Sequence, residues 1–185
     1  PLHSPPGQVI CPLNATAPYA PRFTDQATLV AVANTRTPKA GDLVSVDVFM
    51  TNAVNGLQGY QLHLGVSGGR HGSMELVNIA INDREDFVYS GLPFVDAYNV
   101  KTHQMLADHD EGAVATKANA YLATFTYRVS PDASGTFVID VLGHGAGKPE
   151  NRTFLFGPIN QGMVELVGAK PAVVVVTSGR AQGVR

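Results

Sequence analysis

The sequence predicts an all-β protein, a two-sheet antiparallel β-sandwich with a Pro-rich extended N-terminal arm. Three observations lead there. Short segments alternate apolar and polar residues with a period of two, the pattern of strands buried on one face. Gly (19) and Pro (12) punctuate the chain between those segments. Each apolar face must be covered while each polar face meets water or a partner, and two sheets packed face to face achieve both.

Residues 1–26 contain Pro1, Pro5, Pro6, Pro12, Pro18 and Pro21, which exclude a helix or central strand and predict an extended arm. The arm is more apolar than a solvated linker requires. Val9, Ile10, Leu13, Tyr19 and Phe23 are therefore its candidate contacts with a surface. Residues 27–177 form the sandwich. Its first strand is expected within Ala27–Thr35, before a turn at Pro38-Lys-Ala-Gly-Asp42. In Leu43–Met50, Val44, Val46, Val48 and Met50 share one face, opposite Ser45, Asp47 and Phe49. In Gly59–Val66, Tyr60, Leu62, Leu64 and Val66 oppose Gln61 and His63. Further strands are expected at Glu75–Ile81, Tyr121–Val129, Thr136–Leu142 and Ala172–Thr177.

Residues 82–120 are less regular. A structureless stretch of that length is unusual in a compact domain, so strands are expected near Phe87–Tyr89 and Met105–Ala107, with a loop packing its aromatics over the sandwich. Residues 178–185 read as a flexible or partner-held tail. The expected core includes Val46, Val48, Leu62, Leu64, Phe125, Tyr127, Phe137, Ile139 and Val141. The outward-facing Gln61, His63, Thr124, Thr126 and Arg128 are the candidate partner-binding residues.

A chain of 185 residues can bury a core without staples, and Cys11 is alone, so no internal disulfide forms. Cys11 is inert, paired with another chain, or modified. Charged residues are 15%, low for a soluble domain, and the net charge of −2 leaves no basic stripe for nucleic acid. No apolar run reaches the length of a membrane span. Pro1 is an odd initiator and no signal peptide is visible, as expected of a processed or trimmed chain. Low charge and many turns fit an exported protein, periplasmic or extracellular.

Chemistry is sparse. The histidines at 3, 63, 71, 103, 109 and 144 show no His-x-x-x-His spacing. Asp108-His-Asp-Glu111 has oxygens for Ca²⁺ but lacks the glycine and ligand alternation of a calcium loop, and reads as a solvated acidic turn. Asn82-Asp-Arg-Glu-Asp86 reads as a capped turn or short helix. Gly143-His-Gly-Ala-Gly-Lys148 lacks the order of a phosphate loop, and no Gly-x-Ser-x-Gly nucleophile motif occurs. No catalytic, cofactor or metal site is expected.

Several segments together resemble the bacterial cohesin domain. They are Pro38–Asp42, Leu43–Met50, Leu57-Gln-Gly-Tyr-Gln-Leu-His-Leu64, Met74–Ile79, Tyr121–Val129 and Asp132-Ala-Ser-Gly-Thr136, in that order. The likeness spans about residues 27–177 and departs from the family at Gly65–Gly72, where cohesins commonly continue into a Tyr-Asp-Pro-like turn. The resemblance implies a nine-stranded jelly roll whose flat face binds another protein, in the type case a calcium-loaded dockerin. The expectation is thus a non-catalytic protein–protein interaction module, an exported accessory subunit of a larger complex, on the outer face of a membrane complex or in a surface assembly. The alternatives are a carbohydrate-binding module, with Tyr60, Tyr89, Tyr98, Tyr121 and Tyr127 as its aromatics, and a self-assembling surface filament or layer subunit.

Overall fold

The computed structural model describes residues 23–82, 84–143, 153–157 and 163–177. Every regular element among them is a strand: β1 (Phe23–Ala33), β2 (Leu43–Met50), β3 (Gly59–Gly68), β4 (Met74–Ala80), β5 (Val95–Asn99), β6 (Gln104–Asp108), β7 (Ala120–Val129), β8 (Gly135–Val141), β9 (Phe154–Phe156), β10 (Met163–Lys170) and β11 (Ala172–Val176). One layer runs β4-β7-β2-β1-β10 and the other β5-β6-β3-β8-β11. β9 pairs with both β3 and β10, joining the layers along one side into a nearly closed sheet.

Alternation sets the core. β2 repeats buried and half-buried residues along its length, and all nine expected core side chains are buried. The layers meet directly where the Tyr60 hydroxyl on β3 donates to the Leu122 carbonyl on β7 at 2.7 Å. That bond satisfies a polar tip inside an apolar core. The turn at Pro38–Asp42 closes as expected, with the Lys39 N–H donating to the Asp42 carboxylate at 2.8 Å and Gly41 at φ 89°.

Four expectations change. The pairings are antiparallel except for β1 with β10, which is parallel, so the sheet is mixed. β1 begins at Phe23, four residues before the expected boundary at 27, and Phe23 pairs there with Met163 instead of standing in an arm. Phe87–Tyr89 is a turn with one bridge to Tyr121, because its aromatics pack on each other and on the core in place of forming a ladder. The strand of that region is instead β5, exposed throughout and paired with β6. β6 lies where a strand was expected. The expected arm contacts Val9, Ile10, Leu13 and Tyr19, Cys11 and the 178–185 tail fall outside the described residues.

Candidate docking faces

The five residues expected to bind a partner do not share a face. Gln61 and His63 stand on the outer face of β3, opposite Leu106 and Gln104 of β6. Thr124, Thr126 and Arg128 lie on β7, and β3 and β7 face each other across the core, so their outward side chains point away from one another.

On the β7 side, Thr124 is buried. Its hydroxyl donates to the Asp47 carboxylate at 2.7 Å, lies 2.7 Å from the Tyr121 hydroxyl, and accepts from the Asn82 side-chain amide at 2.8 Å. Arg84 covers this group. Its guanidinium pairs with Asp47 at 2.7 Å and with Asp86 through two bonds of 2.8 Å, and lies over the Tyr121 ring at 4.4 Å and the Phe49 ring at 5.3 Å. A planar fork suits that combination of bidentate pairing and stacking. Within Asn82–Asp86, expected as a capped turn or short helix, Asn82, Arg84 and Asp86 therefore work as a clamp over one sheet. Thr126 is half-buried and Arg128 exposed beyond it.

The β3 side is different in character. Across β3, β6, β8 and β11 the only charged side chains are Asp108 and Asp140. Two glycines let neighbouring side chains lie flat on β3: Phe156 sits where a side chain at Gly59 would be, and Leu142 where one at Gly65 would be. Phe154 lies beside Phe156, the rings tilted by 41° with centroids 5.9 Å apart. The strip between the β9 and β8 ladders is closed by Thr153, whose hydroxyl accepts from the His63 N–H at 3.0 Å. The result is a low-charge face in which half-buried Gln61, His63, Gln104, Leu106, Val138, Phe154 and Phe156 adjoin exposed Leu142, Val173 and Val175. The sequence reading missed Leu106, Leu142, Phe154 and Phe156. The two glycines, small residues where flat packing needs them, were the only signal for two of these.

Most of the tyrosines expected for a glycan platform are not presented. Tyr60, Tyr89, Tyr121 and Tyr127 are fully buried, and Tyr98 alone of the five is exposed. Tyr89 stacks on Tyr60 at 6.0 Å and packs on His109 at 5.7 Å, and burial raises its pKa well above the ordinary phenol range. His109 is likewise buried, its Nδ1 2.7 Å from the Pro93 carbonyl oxygen. Among the described residues no three His, Cys, Asp or Glu side chains group as a metal site, and no helix is long and apolar enough to cross a membrane.

No family model matches the chain, and no curated protein matches it. Solved structures do. A type III cohesin module from the ScaE cell-surface anchoring scaffoldin of Ruminococcus flavefaciens aligns at a TM-score of 0.59 and 11% identity, over 84% of this chain and 89% of that one. A type I cohesin from Clostridium thermocellum, solved in complex with a dockerin, gives 0.55 and 14% over 85% and 97%. A non-cellulosomal cohesin from the archaeon Archaeoglobus fulgidus gives 0.54 and 13% over 84% and 94%. The chain has a cohesin-like, jelly-roll sandwich fold.

Proposed function

We propose that the chain is a non-catalytic docking module that binds another protein through the outer face of the β5-β6-β3-β8-β11 layer. The observation that carries this reading is the face itself. It combines apolar side chains laid flat over Gly59 and Gly65 with three charges, Asp96, Asp108 and Asp140, across five strands, close to the composition of an interface core. The opposite layer is clamped by Arg84 and lined with charge. Cohesins of the same fold support the reading, since one was solved with its dockerin bound.

Docking here needs no chemistry. A rigid sheet presents Leu106, Leu142, Phe154 and Phe156 around Gln61 and His63, so a partner buries apolar area without ordering a mobile loop. The protein is exported and serves as an accessory subunit of a larger assembly, and the apolar arm residues Val9, Ile10, Leu13 and Tyr19 lie along a neighbouring subunit. The test is to purify the native complex with a Leu106→Glu, Leu142→Glu variant of the full chain. We expect a folded chain that no longer co-purifies with the assembly. Retention of that variant at parental stoichiometry contradicts the assignment.

A further inference from the structure

The two layers leave a seam. β1 pairs with β10 only as far as Val30, opposite Lys170, so Ala31, Val32 and Ala33 have β2 on one edge and no described strand on the other. β11 pairs with β8 along its whole length on one edge. On its other edge the Val175 N–H donates to the Arg36 carbonyl at 2.8 Å. Backbone groups alternate in direction along a strand, so the N–H and C=O of Val173 also point to that edge. Between β1 and β11 lies a groove of about 560 Å³. Ala31 and Ala172 form its buried floor, and Val32, Val173 and Val175 its walls, 47%, 45% and 43% exposed. Arg36 and Lys170 stand at its mouth, exposed and in no ion pair among the described residues.

We propose that this seam is a second binding site, whose occupant is an extended peptide strand of another protein, apolar at alternate positions and ending in acidic residues. Unpaired strand edges are satisfied by a strand, which brings its own ladder of N–H and C=O groups. Side chains at alternate positions of that strand reach the valine walls. A carboxylate answers the two cations. The flanking segments do not match it: residues 1–22 contain no Asp or Glu and carry Arg22, and residues 178–185 carry two arginines. Charge thus favours an acidic strand of another protein over these two segments. Lysines also guard edges against aggregation, but guards shield the apolar edge, and here three valines stay open between the cations.

The probe is a fluorescein-labelled, N-acetylated peptide, Thr-Val-Thr-Val-Thr-Val-Asp-Glu, titrated against the full chain by fluorescence anisotropy. We expect saturable binding, weakened about tenfold or more by Arg36→Glu with Lys170→Glu, and weakened also by the near-isosteric Val32→Thr with Val175→Thr. N-methylation of either alternating set of peptide amides weakens binding, because one set faces the edge of β1 and the other the edge of β11. Circular dichroism melts confirm that each variant folds. The proposal is overturned by no saturation up to about 1 mM peptide, by equal binding of a peptide ending Asn-Gln, by indifference to N-methylation, or by tighter binding of a peptide of residues 7–17. Self-association of the Glu double variant in sedimentation velocity, without peptide binding to the parent, identifies the cations as edge guards and also overturns it. The groove shares Val173 and Val175 with the rim of the open face, but Leu106 and Leu142 are outside its lining, so failure here leaves the docking face standing.

Discussion

Phe125 shows how much one side chain holds. It lies on β7 between Val46 of β2 and Ile79 of β4 and is fully buried. Phe125→Ala should cost about 3–5 kcal/mol, a large part of the roughly 5–15 kcal/mol typical of a domain, read as a lower denaturant midpoint with an unchanged slope. An unaltered midpoint would place the side chain outside the core. Asp108 acts in the opposite sense. Its Oδ1 is buried without a hydrogen-bond partner, and burial, with Asp110 adding repulsion, raises its pKa above the ordinary 3.8. The folded chain therefore holds this proton more tightly than the unfolded chain. Stability is full below the unfolded value and is lost as pH rises through the window above it. Asp108→Asn should melt higher than the parent at about pH 7 and no higher at about pH 3. A lower melting temperature at the upper pH would show that the carboxylate is favourably held.

At the scale of elements, strands with clean alternation were legible and those without were not. β2, β3, β7 and β8 put apolar residues at every second position and a turn at each end, so the pattern alone fixed their inward faces. β9 has three residues, too few for a period, and β5 is exposed on all five. β10, Met-Val-Glu-Leu-Val-Gly-Ala-Lys, breaks alternation because it is parallel to β1 with register shifts in the ladder. Long-range pairing defines these three strands, and no local signal reports it. The Arg84 clamp was hidden for the same reason, since Asp47 lies 37 residues from it. Arg84→Ala should cost about 1–2 kcal/mol through lost stacking and pairing, and Arg84→Lys should restore little, because an ammonium cannot pair bidentately with Asp86. Thermal melts of both variants check this. Full rescue by Lys would reduce the clamp to simple charge.

For the whole molecule, the sandwich supplies rigidity and the two outer faces divide the work. One is fastened by Arg84, and the other, built on Gly59 and Gly65, is open. Two of the five residues of the sequence-derived docking set, Gln61 and His63, fall on the open face, because alternation tells outward from inward but not which sheet a strand joins. Deleting residues 1–22 should leave the melting temperature of the domain nearly unchanged while weakening its hold on the native assembly. Unfolding of the truncated chain would make the arm a cover of its own domain. The most direct measurement is native mass spectrometry of the purified assembly carrying either Leu106→Glu with Leu142→Glu, or Arg128→Glu on the opposite sheet. The docking account predicts that the first variant is released as a folded free chain while the second stays bound at parental stoichiometry. Retention of the first with release of the second would contradict it.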